Sequence, residues 1–176
     1  MPSQYLDEFI RELRRDGDAK FRAHHGAPVI VVTRAEGESG GVGDMDYESG
    51  VQPIVSAETS GWRIQHVSLL NRVFAVRRGA FEKDAPVVLG RSEKQADIVI
   101  PDDSVSKRHC LFEAKAGGVA VTDCGSTNGT KVDGRALRPG EPCLLRGSET
   151  LEIGNFSFLY ETADGFLAHL KRAGIR

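Results

Sequence analysis

The apolar positions near the amino terminus recur at the spacing of a helix. They are Tyr5, Leu6, Phe9, Ile10 and Leu13. This spacing predicts a short amphipathic helix over residues 4–15, with Ser3 as a candidate cap and Gly17 beyond the end. An aliphatic run over residues 27–33 predicts one strand after it.

Residues 36–60 differ from the rest of the chain in composition. They contain six acidic residues and five glycines but no lysine or arginine. Such a segment buries too little apolar surface to order itself, so we predict a flexible acidic loop.

From Trp62 onwards, short runs rich in Val, Ile, Leu and Phe alternate with turn residues. The predicted strands cover residues 63–69, 72–78, 86–90, 97–100, 109–114, 118–122, 130–133, 142–145, 150–153 and 155–161. Asp133-Gly134 is a two-residue hairpin signal. Many short strands without intervening helices predict an all-β antiparallel sandwich or barrel.

The last segment, ADGFLAHLKRAG, places Phe166, Leu167 and Leu170 on one face and predicts a helix that ends near Gly174. The chain is therefore predicted to divide into an N-terminal extension (1–60), a β-sandwich (61–162) and a C-terminal helix (163–176).

Composition and charge exclude several classes of protein. A net charge of -2 with 40% hydrophobic and 27% charged residues indicates a soluble globular protein without a global attraction to nucleic acid. The charged amino terminus lacks a signal-peptide core, and no aliphatic run is long enough to span a bilayer, so we expect a cytoplasmic protein without a membrane partner. Three cysteines without a CxxC pair argue against a disulfide framework or a zinc site. Nothing in the sequence requires a metal or another cofactor.

Three polar loops carry residues of defined type: LGRSEKQAD (89–97), DDSVSKRHC (102–110) and CGSTNGTK (124–131). The last lacks the second glycine and the following helix of a nucleotide-binding P-loop. No Gly-x-Ser-x-Gly turn marks a serine nucleophile, so we expect no enzyme activity. By itself, Asn128-Gly129 indicates a hairpin turn.

In order along the chain, GR at 90–91, SKRH at 106–109 and DCGSTNGT at 123–130 resemble the forkhead-associated (FHA) domain pattern of Gly-Arg, Ser-x-x-His and Ser-x-Asn-Gly. The resemblance covers about residues 70–162. The layout is also similar to stand-alone bacterial FHA proteins with an N-terminal extension. It implies an FHA-type antiparallel β-sandwich of about eleven strands that binds phosphothreonine peptides through loops at one end.

The resemblance also assigns roles to residues. Arg91, Ser106 and Lys107 are implied phosphate ligands, and their guanidinium, hydroxyl and ammonium groups suit phosphate oxygens. Thr127 and Asn128 are implied to hold the peptide main chain, the asparagine amide pairing with backbone groups as a strand would.

Three further residues are implied to support the site. Gly90 allows a close backbone approach, His109 is a buried hydrogen-bonding strut, and Gly129 makes a turn. Lys94, Arg108, Lys131 and Arg135 form a basic rim or are ordinary solvated charges.

Two functional hypotheses follow. The first is a phosphothreonine-dependent binding module in Ser/Thr kinase signalling, whose partner is a phosphothreonine-containing protein such as a kinase or its substrate. The second is a phosphate-independent scaffold that uses the same sandwich. A subsidiary hypothesis has phosphorylated Thr59 occupying the chain's own site, against the alternative of an inert linker threonine.

Overall fold

The computed structural model of the chain describes residues 4–35, 69–76 and 85–174, which form two helices and twelve strands. The first elements are β1 (Gln4–Tyr5), α1 (Leu6–His24), β2 (Val29–Ala35), β3 (Arg72–Ala75), β4 (Val87–Gly90), β5 (Ile98–Val99) and β6 (Cys110–Lys115). The others are β7 (Gly118–Asp123), β8 (Thr130–Val132), β9 (Arg135–Ala136), β10 (Pro142–Leu145), β11 (Thr150–Ile153), β12 (Phe156–Glu161) and α2 (Ala163–Ala173).

The strands form two sheets that enclose one core. One sheet has the order β1-β3-β2-β12-β11-β8-β9, and the other has the order β10-β7-β6-β4-β5. All neighbouring strands are antiparallel except β4 and β5. Leu89 and Phe112 of the smaller sheet and Ile30 and Phe158 of the larger one are buried in a single apolar cluster. The predicted all-β sandwich with a helix near each end of the chain is therefore confirmed.

The alternating pattern of the sequence explains how the sheets face each other. In β6, Cys110 and Phe112 are buried while Leu111 and Glu113 are partly exposed, because successive side chains of a strand point to opposite faces. Each strand predicted between residues 86 and 161 is present with its ends within one residue of the prediction. The short strands β1 and β9 were missed.

The two helices pack together on the outer face of the larger sheet. Phe9 of α1 and Phe166 of α2 make an edge-to-face contact with ring centroids 5.2 Å apart, and both lie in a second apolar cluster with Val31 of β2. Ion pairs join Arg22 to Asp164 and Lys171 to Asp18 at its rim. Segments from the two ends of the chain thus form one layer against the sandwich.

The N-terminal helix differs from its prediction. It begins after Tyr5, which caps it, and runs to His24. Gly17 does interrupt it, with φ 73° and ψ 167°, but the chain then resumes helical geometry. The helix continues because of a tertiary contact: Phe21, beyond the interruption, is buried against Phe166 of α2. Ser3, the predicted cap, lies outside the described residues.

Other predictions also fall outside the described ranges. These are the acidic loop over 36–60, nearly all of the strand over 63–69, and Thr59. The domain boundary between residues 60 and 61 accordingly stays a prediction. At the other end, α2 ends at Ala173 with Gly174 as its C-terminal cap, and the Thr162 hydroxyl accepts a hydrogen bond from the Gly165 N–H at 3.1 Å.

Candidate functional site: three loops at one end of the sandwich

Hydrogen bonds hold the three polar loops together. The Arg91 N–H donates to the Ser106 carbonyl at 3.0 Å, and the Thr127 N–H donates to the Ser106 hydroxyl oxygen at 3.0 Å. The Asn128 amide Nδ2 donates to the Ser104 carbonyl at 2.7 Å. The structure thereby brings together three segments that the sequence separates, namely the ends of β4 and β7 and the loop before β6.

The residues expected to contact phosphate have accessible side chains. Arg91 is 42% exposed, and its Nη1 lies 3.7 Å from an Asp103 carboxylate oxygen that is fully exposed. The Lys107 side chain is exposed as well, and the Ser106 hydroxyl lies 3.4 Å from the Thr127 hydroxyl. A guanidinium with only a loose, solvated counterion is available to an incoming dianion, since such exposed pairs contribute little free energy.

The basic rim is smaller than the sequence suggests. Lys131 forms an ion pair, because its ammonium nitrogen lies 2.9 Å from a Glu152 carboxylate oxygen on the neighbouring strand. Lys94, Arg108 and Arg135 are exposed.

Gly90 sits where a side chain would collide with backbone. A Cβ atom built on this residue would lie 2.2 Å from the Lys107 carbonyl oxygen and 2.8 Å from the carbonyl carbon. Its own carbonyl accepts a hydrogen bond from the Ile100 N–H at 3.0 Å. Gly90 therefore lets β4 lie directly against the loop that carries Ser106 and Lys107.

We expect Gly90→Ala to lower the free energy of unfolding by roughly 2 kcal/mol, because the added methyl group must push that loop away. Phosphopeptide binding should weaken as well. Urea denaturation measures the first effect, and Gly165→Ala is the control, since its new Cβ would approach only side-chain atoms, no nearer than 3.2 Å. Equal stability of the Gly90 and Gly165 variants would contradict the expectation.

His109 is fully buried beneath the site and bridges two loops. Its Nδ1 accepts a hydrogen bond from the Ser106 N–H at 3.1 Å, and its Nε2 lies 3.0 Å from the Gly129 carbonyl oxygen. Because a carbonyl only accepts, Nε2 carries the hydrogen and the ring is neutral. Burial lowers the pKa of His109 below its ordinary value, although the Gly129 carbonyl and the Asp123 carboxylate offset part of that effect.

This lowered pKa predicts a loss of stability in mild acid. Below about pH 6.5 the unfolded chain binds a proton at His109 that the folded chain does not, so the free energy of unfolding falls by up to about 1.4 kcal/mol per pH unit. The fall should begin near the unfolded pKa and end at the folded one. Urea denaturation from pH 7.5 to 5 measures it, and His109→Gln should remove this component. An unchanged slope in the variant would refute the assignment.

Asp123, at the end of β7, organises the loop that follows it and was missed as a site residue. Its buried carboxylate accepts hydrogen bonds from the N–H groups of Gly125 and Ser126 and from the hydroxyls of Ser126 and Thr130, at 2.6 to 2.9 Å. Burial acts to raise the pKa of Asp123, but these hydrogen bonds outweigh it and hold the pKa below its ordinary value. An Asp with Gly and Ser two and three residues later, here Asp-Cys-Gly-Ser, is the signal of an Asx-turn that could have identified it.

The interpretation of Asn128-Gly129 as a hairpin is wrong. β7 belongs to the smaller sheet and β8 to the larger one, so residues 124–129 cross between the sheets instead of joining paired strands. Gly129 does adopt positive φ, at 74°. By contrast, Asp133 and Gly134, with φ of 48° and 75°, join the paired strands β8 and β9 as predicted.

The described part of the chain offers no candidate for a metal site or a membrane-spanning helix. Nowhere in residues 4–35, 69–76 and 85–174 do three or more His, Cys, Asp or Glu side chains cluster as metal ligands would. In the same ranges no helix has the length and apolar character needed to cross a membrane.

Comparison with known proteins places this geometry in a family. Residues 87–154 match the FHA domain family. The chain is 30% identical over 95 residues to the glycogen accumulation regulator GarA of Mycolicibacterium smegmatis, covering 51% of this chain and 58% of that protein. It is 32% identical over 93 residues to the oxoglutarate dehydrogenase inhibitor of Corynebacterium diphtheriae, covering 50% and 63%. The chain thus spans roughly 60% of the length of these relatives.

A solved structure supports the fold. The solution structure of the FHA domain of an Arabidopsis thaliana hypothetical protein matches with a TM-score of 0.50 at 17% identity, covering 78% of this chain and 86% of that one. That structure supports the fold alone, whereas the family match identifies residues 87–154 of this chain as an FHA domain, in agreement with the resemblance found in the sequence.

Proposed function

We propose that the FHA domain binds phosphothreonine-containing protein segments and serves Ser/Thr kinase signalling. The observation that carries the proposal is that Arg91 and Thr127 both donate a backbone hydrogen bond to Ser106, while the side chains of Arg91 and Lys107 beside it are exposed. A phosphate monoester brings roughly two negative charges and three acceptor oxygens, which match a guanidinium, a hydroxyl and an ammonium group.

The strength of such a site is limited. Three or four charge-assisted hydrogen bonds contribute about 1.5 to 3 kcal/mol each, and ordering a flexible peptide offsets much of that sum. We therefore expect a dissociation constant in roughly the micromolar range. Removal of the phosphate should abolish most of the affinity, which is the behaviour of a switch.

We propose a binding module and not an enzyme, and the hydrogen bonds of His109 support this choice. A serine nucleophile needs a base at its hydroxyl. Both ring nitrogens of His109 are already bonded to main-chain groups, Nδ1 to the Ser106 N–H and Nε2 to the Gly129 carbonyl. The names of the two bacterial relatives, a regulator and an inhibitor, agree with a binding role.

We also propose that the partner is a phosphothreonine-containing protein of a kinase pathway and that the protein is cytoplasmic. A further part of the proposal is that phosphorylated Thr59 occupies the chain's own site. Mass spectrometry after kinase treatment, combined with peptide competition, tests Thr59: phosphorylation there that leaves peptide affinity unchanged would rule out self-binding.

An array of phosphothreonine peptides, probed with wild-type protein and with Asn128→Ala, tests the proposed function. Wild-type protein should bind a subset of the phosphorylated spots and none of their unphosphorylated counterparts, and the variant should bind the same spots more weakly. Binding that survives phosphatase treatment of the array would instead favour the phosphate-independent scaffold.

A further inference from the structure

We propose that Ser104, supported by the turn at Gly154–Asn155, is a positioning residue that holds the Asn128 amide in the orientation in which it meets the bound peptide. This inference rests on the proposed function, since it concerns how the same site engages the peptide main chain. Neither Ser104 nor the turn between β11 and β12 is among the residues expected to contact phosphate.

The first observation is the contact between Ser104 and Asn128. The Asn128 Nδ2 donates to the Ser104 carbonyl oxygen at 2.7 Å. Because a carbonyl only accepts, this bond determines which end of the amide points inward. The outward Oδ1 and the second N–H are left to pair with a peptide backbone, and within the described ranges Oδ1 accepts no hydrogen bond. An exposed asparagine without such an anchor would rotate about two side-chain bonds.

The second observation is that Ser104 is itself held from two sides. Its N–H and its hydroxyl both donate to the Asp102 carboxylate, at 2.8 and 2.6 Å. The same hydroxyl accepts a hydrogen bond from the Asn155 N–H at 3.0 Å, across 51 residues of sequence. The Ser104 hydroxyl therefore joins its own loop to the turn between two strands of the larger sheet.

The third observation is the close fit of that turn. Gly154 has φ of 58°, and a Cβ atom there would lie 2.5 Å from the Ser104 hydroxyl oxygen and 2.7 Å from its carbonyl oxygen. Only a glycine lets the turn approach Ser104 this closely at this backbone conformation. The turn therefore lies directly against Ser104, whose carbonyl accepts the hydrogen bond from Asn128.

The test is a double-mutant cycle on Ser104 and Asn128, with a phosphothreonine peptide selected on the array as the probe. Ser104→Ala removes the hydroxyl that anchors the carbonyl and should weaken binding about 3- to 10-fold, in line with one lost hydrogen bond. In the Asn128→Ala background the same change should have no further effect, because the group that it positions is gone. Ser157→Ala, which removes a hydroxyl on β12, is the matched control and should bind like wild type.

Two results of the cycle would overturn the proposal. One is wild-type affinity in Ser104→Ala, and the other is an equal loss in the presence and absence of Asn128. Thermal melts of all variants identify a temperature at which every variant is folded. Binding is measured at that temperature, so that a loss of stability alone does not change the measured affinity.

A measurement without ligand separates this inference from the proposed function. The Asn128 side-chain amide resonances are identified by their disappearance in Asn128→Ala, and they should shift towards free-amide values in Ser104→Ala. Unshifted resonances would overturn the positioning role whatever the peptide data show. A clear shift in a protein that binds no phosphopeptide would instead support the positioning role and count against the proposed function.

Discussion

Arg91→Ala should weaken the binding of phosphothreonine peptides by roughly 100-fold or more. Its guanidinium is the group at the site best suited to hold two phosphate oxygens at once, and two charge-assisted hydrogen bonds are together worth about 3 to 6 kcal/mol. The side chain is available for this role, since it is 42% exposed and its contact with Asp103 is 3.7 Å long. Titration calorimetry of wild type and variant against one peptide measures the loss.

Two further variants show whether the loss of affinity in Arg91→Ala comes from the planar geometry of the guanidinium or from its positive charge alone. Arg91→Lys keeps the charge but loses the planar pair of donors, so it should recover only part of the affinity. Arg135→Ala removes an exposed positive charge from the rim and should change affinity by less than about 3-fold. Wild-type affinity in Arg91→Ala, or equal losses in the Arg91 and Arg135 alanine variants, would contradict a direct phosphate contact.

Asp123→Ala is expected to cause the largest loss of stability, roughly 3 kcal/mol in the free energy of unfolding. The substitution leaves four donors without an acceptor, among them the hydroxyl of the fully buried Thr130, and unsatisfied buried groups are costly. The loop that presents Thr127 and Asn128 should lose its order at the same time. Urea denaturation measures the stability, and phosphopeptide titration measures the effect on the loop.

The acid dependence of stability gives an independent check on Asp123. Since its folded pKa lies below the unfolded value, its contribution is complete above about pH 4 and is lost as the pH falls through the folded pKa. The variant should therefore lose less stability than wild type over that range. Asp103→Ala, at a fully exposed carboxylate, should match wild type. An Asp123 variant as stable as wild type would show that the four hydrogen bonds contribute little.

Much of the fold could be predicted from the sequence, because it depends on local patterns. Alternating apolar residues located every strand between residues 86 and 161 except β9 to within one residue. The resemblance to the FHA pattern identified residues that the fold does bring together, such as Ser106 and Thr127. Local signals also predicted the turn at Asp133-Gly134, where backbone conformation and strand pairing agree.

Features that depend on distant contacts were not predictable. An Asn-Gly pair indicates positive φ at Gly129, but it does not show that the strands on either side belong to different sheets. The support of Ser104 by Asn155 joins residues 51 positions apart. The continuation of α1 past Gly17 depends on Phe21 packing against α2, which no local pattern reveals.

One calorimetric titration series tests phosphothreonine recognition most directly. A single peptide selected on the array is prepared with phosphothreonine, with phosphoserine and unmodified, and each form is titrated into the wild-type protein. We expect a dissociation constant in roughly the micromolar range for phosphothreonine and at least about 4-fold weaker binding for phosphoserine, which lacks one methyl group. The unmodified peptide should show no measurable binding. Equal affinity for the phosphothreonine and unmodified forms would contradict phosphate recognition at this site.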